Sequence, residues 1–139
     1  MDVPPKVKCF AWRLSLNILP TGVNLKKKMQ GFNSSCPWCG EPQEHDRYVF
    51  FDCKFARQFW DLTDLSIDFQ KIKASCMKEL MGIIFESGDK IEIQSFVMTL
   101  WMIWHARNKL VFEGICMKTE VIVDWVRAYL WELIKGIET

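Results

Sequence analysis

Along most of the chain, apolar side chains recur every three or four positions. Val7, Phe10, Ala11, Leu14 and Ile18 mark one face of a helix over residues 5–18. Pro4 and Pro5 suit its lead-in and first turn, where a missing N–H costs little. Pro20 stops it, because the residue before a proline is pushed out of the α region. Thr21 is placed to cap a second, short helix over 22–30, whose end carries Lys26, Lys27 and Lys28 and which Gly31 terminates. Residues 32–53 have no helical period. Cys36, Pro37, Cys39, Gly40, Pro42 and Cys53 give this stretch loop character, with a brief strand expected at Tyr48 to Phe51 and an N-cap at Asp52.

Helical spacing then resumes. A helix over 54–62 turns Phe55, Phe59 and Trp60 inward, and a polar connection follows at 63–74. Met77, Leu80, Met81 and Ile84 line a helix over 75–86, and Gly88 and Asp89 make a turn. The longest helix, over 91–112, carries Val97, Leu100, Trp101, Trp104 and Val111, with Phe96, Ile103 and Leu110 widening the apolar face. Such a face predicts a central position. Gly114 ends it. Thr119 caps a last helix over 119–135 whose stripe is Ile122, Trp125, Val126, Tyr129, Leu130 and Leu133. A short link makes the last two helices antiparallel neighbours, with Trp101, Trp104, Trp125 and Tyr129 in or beside their seam. The class is all-α: a small helical domain with an irregular, zinc-knuckle-like insert at 33–53.

Composition supports a packed core. Of 139 residues, 50% are apolar and 14% aromatic, which excludes wholesale disorder. The net charge of +1 does not mark a strongly basic nucleic-acid binder. Its distribution is uneven, however: residues 1–35 hold six Lys/Arg against one Asp, so affinity for phosphate is expected near the N-terminus, at Lys26, Lys27 and Lys28. A short basic run is more often a solvated face. The longest apolar stretch, Phe96 to Trp104, falls well short of the roughly 20 residues a membrane span needs. Asp2, Pro4, Pro5 and Lys6 break up the start, so no signal peptide is expected and the protein is placed inside the cell, nuclear or cytoplasmic, with no membrane partner. Six cysteines then read as reduced thiols, with a metal site as the main alternative.

That alternative centres on Cys36-Pro37-Trp38-Cys39-Gly40. Two thiolates two residues apart can face one metal, and zinc takes four N or S ligands in a tetrahedron. Cys53 is a natural third ligand, and His45 is the only histidine in the segment. Cys9, Cys76 and Cys116 stand alone by helices. Cys9 and Cys76 read as small core residues, and His105, beside Trp101 and Trp104, as a core-edge or surface histidine. No Gly-rich phosphate loop and no Asp/Glu cluster suited to two-metal chemistry occurs, so an enzyme is not expected.

Pro4-Pro5-Lys6-Val7-Lys8, Phe10, Trp12-Arg13-Leu14, Leu19-Pro20-Thr21, Cys36-Pro37-x-Cys39-Gly40, Phe50-Phe51-x-Cys53, Phe55-Ala56-Arg57 and Trp60 come in an order that resembles the zinc-binding domain of plant non-LTR retrotransposon reverse transcriptases. Trp101-x-x-Trp104-x-x-Arg107-Asn108-Lys109 and Val111-Phe112 look like the segment that follows, ahead of an RNase H-like domain. The resemblance implies a zinc-binding domain over 1–63 and a helical segment over 64–139. It also implies a non-catalytic module of a reverse-transcriptase polyprotein that engages nucleic acid. The family pattern has an acidic residue where Glu44 stands and a ligand His where Tyr48 stands. Either His45 swings in as the fourth ligand beside Cys36, Cys39 and Cys53, or the site has lost one. The second outcome leads to another function: a helical interaction module with a decayed zinc site, docking another protein or a second copy through its C-terminal helices.

Overall fold

The computed structural model describes residues 3–62 and 77–138. The connection read at 63–74 and the residues just after it, Cys76 among them, lie outside the described residues. All regular structure among the described residues is helical: α1 (Pro5–Ser15), α2 (Gly22–Lys28), a single π-helical turn (Tyr48–Asp52), α3 (Lys54–Leu62), α4 (Met77–Ser87), α5 (Lys90–Glu113) and α6 (Thr119–Glu138). The all-α reading holds. No helix among these is long and apolar enough to cross a membrane.

Local chemistry fixes most of the boundaries. Thr21 caps α2, its hydroxyl oxygen accepting from the Asn24 N–H at 3.3 Å. Helix α1 stops at Ser15, earlier than the apolar spacing suggests, because Asn17 takes a left-handed conformation (φ 55°). The Asn24 side chain secures that loop by donating to the Asn17 and Leu19 carbonyls. Asp89 caps α5 through its bond from the Glu92 N–H, 2.8 Å. Gly114, at φ 67°, ends α5, with its own N–H and that of Ile115 folding back onto Leu110 and Lys109.

The strand expected at Tyr48–Phe51 is instead the π-helical turn, closed by the Cys53 N–H on the Tyr48 carbonyl at 2.9 Å. The reason lies in packing. Val49, Phe50 and Phe51 are all buried, and a strand would turn alternate residues outward. Phe50 wedges between Phe10 and Trp104, with centroids 5.9 and 6.0 Å away. Phe51 stacks on Trp60 and Phe96 at 5.6 and 6.4 Å. Trp60 donates its indole N–H to the Phe50 carbonyl at 2.7 Å, so α3 and the turn are also tied by a buried hydrogen bond.

Helix α5 is the central element the sequence predicts. Every residue from Gln94 to Leu100 is buried, and α5 packs on α1, α3, α6 and the π-helical turn. Helix α4 packs on α1, and α6 packs on both α5 and α3, which joins the apolar residues into one core. Among the described residues of α6, Ile122, Val123 and Val126 are buried, with Tyr129 half-buried against the core. Trp125 is 55% exposed and leaves the expected seam. Two residues on from Val123 is about 200° around a helix, so a face that buries Val123 turns Trp125 out. Cys9 is likewise exposed, on the solvent side of α1, and not a core residue.

One buried ion pair ties the irregular segment to α5. Glu44 accepts from Arg107 through both carboxylate oxygens, Oε2 from Nε at 3.1 Å and Oε1 from Nη2 at 2.5 Å. The pair is sealed from solvent, with side chains 0% and 3% exposed. Oε1 also accepts from the Gly22 N–H at 2.7 Å, and the Arg107 guanidinium lies over the Trp104 ring. Gly22 is required here: a Cβ on it would come within 2.5 Å of the Ser34 carbonyl oxygen. Removing one member of such a pair strands a buried charge. Arg107→Met is therefore expected to lower unfolding stability by about 3–5 kcal/mol in urea titration, with part of the loss restored when Glu44→Leu is added. Phe50→Ala should cost about 3–5 kcal/mol from lost packing against Phe10 and Trp104.

Candidate metal centre

Two segments meet at the cysteines. The first is a tight turn at 36–41. The Cys36 carbonyl accepts from the Gly40 N–H at 2.9 Å, and the Cys36 N–H donates to the Glu41 carbonyl at 2.8 Å. Gly40, at φ 83°, adopts a conformation that few other residues take without strain. Within the turn the N–H groups of Trp38 and Cys39 point at the Cys36 sulfur. The second segment is the junction of the π-helical turn and α3. Cys53 stands at the cap of α3, its carbonyl accepting from the Arg57 N–H. Its sulfur faces the N–H groups of Phe55 and Ala56. Residues five apart in an α-helix differ by about 140° in direction. The i→i+5 closure of the π-helical turn instead brings Tyr48 and Cys53 to the same side.

The sulfur atoms of Cys36, Cys39 and Cys53 lie within 4.8 Å of one another. Cys53 Sγ is 3.9 Å from both Cys36 Sγ and Cys39 Sγ. A zinc–sulfur bond of about 2.3 Å gives a tetrahedral edge of about 3.8 Å, so the two separations from Cys53 match such an edge and the three thiols are close enough to face one zinc ion. Cys36 and Cys53 are buried, and Cys39 opens to solvent. The thiols are already electrically unequal. The Cys36 thiol donates to the Cys53 sulfur, which with the backbone N–H groups at the start of α3 draws Cys53 down to about 6. The same hydrogen bond, together with burial, pushes Cys36 up.

Tyr48 sits at the open side of this face, its hydroxyl 2.6 Å from Cys39 Sγ. That contact first, and then burial, raises its pKa, so the phenol is neutral at pH 7. His45 is exposed and is not brought into the thiol group. Its Nδ1 accepts from the Tyr48 N–H at 3.2 Å, and its ring meets Tyr48 edge-on at 6.3 Å. The structure thus assembles three of the four ligands read from the sequence and places Tyr48, rather than His45, beside them. Lys26, Lys27 and Lys28 are exposed in the last turn of α2, away from the cysteine turn in sequence. His105 is a core-edge residue stacked on Trp101 at 5.2 Å, with a pKa lowered chiefly by burial.

The pairing of Glu44 with Arg107 supports the site and is not legible in the sequence, which offers the two residues only as separate positions of the family resemblance. The Glu44 N–H donates to the Ser34 carbonyl at 2.8 Å, two residues before Cys36, and its carbonyl accepts from the Val23 N–H at 3.0 Å. A charged residue on an otherwise apolar helix face was the available signal for Arg107, but its partner lies 63 positions away.

Residues 1–60 match the family described as zinc-binding in reverse transcriptase. The span holds all three thiols, so this part of the chain is similar to zinc-binding domains associated with reverse transcriptases, and its cysteine cluster fits a zinc site. No curated protein and no solved structure matches the chain significantly.

Protein purified without chelator is expected to carry one zinc per chain by elemental analysis, and Cys53→Ser to lose it. Tyr48→His, which sets an imidazole beside Cys39, should tighten zinc at least about tenfold in a competition titration. No gain would show that His45 already serves as the fourth ligand.

Proposed function

We propose that the protein is a non-catalytic, zinc-supported module of a retrotransposon reverse-transcriptase polyprotein that engages nucleic acid. The observation that carries this reading is the three-thiol cluster, its sulfurs all within 4.8 Å of one another, inside the span that matches the family. Zinc bound by Cys36, Cys39 and Cys53, with the fourth position at Tyr48 or His45, would add its binding free energy to the stability of the fold. The metal would join the cysteine turn to the start of α3. The module divides at about residue 63 into a zinc-binding part and a segment over 64–139, whose helices α5 and α6 pack on that part. The end of the family match supports that division, and the Glu44–Arg107 link supports the packing. The Trp101 to Phe112 resemblance supports a plant non-LTR element with an RNase H-like domain beyond it, working inside the cell in nucleus or cytoplasm.

A second reading is favoured by two observations. Tyr48 stands where a histidine is expected, and α5 and α6 leave Phe112, Val121, Trp125 and Trp131 exposed. A module whose zinc site has decayed would use that apolar surface against another protein.

The nucleic-acid reading rests on Lys26, Lys27 and Lys28 and is tested by salt. Affinity for single-stranded RNA should fall with rising salt, and replacing the three lysines by Ala should flatten the log–log slope by roughly 0.7 for each phosphate contact removed. Unchanged affinity and slope would exclude this segment as the contact.

A further inference from the structure

The solvent face of α1 is unlike the rest of the surface. From Val3 to Gly40 the chain has six basic residues and not one Asp or Glu. Lys6 leans over the Trp101 ring. The other five, Lys8, Arg13, Lys26, Lys27 and Lys28, are exposed and form no ion pair among the described residues. Among these cations stands Trp12, 64% exposed. Val7, Phe10, Ala11 and Leu14 carry the buried face of α1, so Trp12 lies opposite the core. Lys8 is one turn before it on the same stripe, Leu16 one turn after, and Arg13 borders the stripe.

A single exposed tryptophan is ordinary on a protein surface. Charge separates this one from the others. Trp125 and Trp131 are also exposed, but α6 sets three acidic residues near them, Glu120, Asp124 and Glu132, against Arg127, so their surroundings are net acidic and unfavourable to phosphate. Around Trp12 the nearest charges in sequence are all positive. An indole face open to solvent, with Lys8 one helical turn away and Arg13 next to it in sequence, stacks an unpaired base while its neighbours take the adjoining phosphates. A duplex offers phosphates but no free base face. The short helix bearing Lys26, Lys27 and Lys28 begins at the loop where α1 ends, held there by Asn24, so the backbone of the same strand can continue onto it.

We propose that α1 is a single-strand nucleic-acid contact in which Trp12 stacks a base and Lys8 and Arg13 hold the flanking phosphates. The proposal rests on the nucleic-acid reading above and adds to it the preference for unpaired strands. It is tested by fluorescence anisotropy on the zinc-loaded full chain, with a labelled oligouridylate and a blunt RNA duplex of equal length, over a series of salt concentrations. Trp12→Ala should weaken oligouridylate binding about 5- to 100-fold while leaving the salt slope and the duplex affinity unchanged. Trp12→Phe should recover much of the loss. Lys8→Ala and Arg13→Ala should each flatten the slope by about 0.7. Trp12 is exposed, so these variants keep the fold, and circular dichroism checks it. Wild-type affinity of Trp12→Ala for oligouridylate, or an equal loss on single strand and duplex, would overturn the stacking proposal while leaving the lysine-based reading in place. Failure of the wild-type protein to bind either probe at low salt would overturn both.

Discussion

The carboxylate of Glu44 is the point from which the irregular half of the molecule is organised. It lies in the interior, where an unpaired charge is costly, and accepts three hydrogen bonds there, two from Arg107 and one from the Gly22 N–H. Its own backbone pairs with Ser34 on one side and Val23 on the other. One residue thereby fixes the start of α2, the strand of chain leading into Cys36 and the C-terminal part of α5. The pair need not raise stability above that of an apolar substitute. What it does is specify: only one register of the 33–44 loop puts the carboxylate on Arg107, and that register sets Cys36 and Cys39.

The second sulfur-bearing segment is fixed by different forces. Cys53 is held by aromatic packing, since Phe50 and Phe51 anchor the π-helical turn in the core and the Trp60 indole N–H donates to the Phe50 carbonyl. The thiol face forms where a polar anchor and an apolar one meet. Neither segment carries much regular structure of its own, so a bound metal bridging them would add to the stability of both. Deep burial of Cys36 and Cys53, with Cys39 left open, gives an ion an entry path on the side where Tyr48 stands.

The helices were legible because each buries one stripe, and the stripe is written in the spacing of apolar residues. The central place of α5 followed from the width of its apolar face. The three thiols were legible from Cys-x2-Cys and a later Cys. The π-helical turn was not, because it exists to bury Val49, Phe50 and Phe51 together, and that demand comes from partners far along the chain. Trp125 was misplaced for a related reason: hydrophobicity marks a wide arc of α6, and only packing on α3 and α5 selects its centre. Tyr48 and His45 differ by three positions, and which of them meets the sulfurs depends on how tightly the turn winds. The Glu44–Arg107 pair joins residues whose sequence neighbourhoods give no sign of each other.

The account turns on the coordination the three cysteines offer. X-ray absorption at the zinc edge, on zinc-loaded protein, measures it directly. Three sulfur scatterers at about 2.3 Å with one lighter atom would match the thiol face and its open fourth side. A first shell with fewer than three sulfurs, or protein that holds no zinc at all, would contradict it.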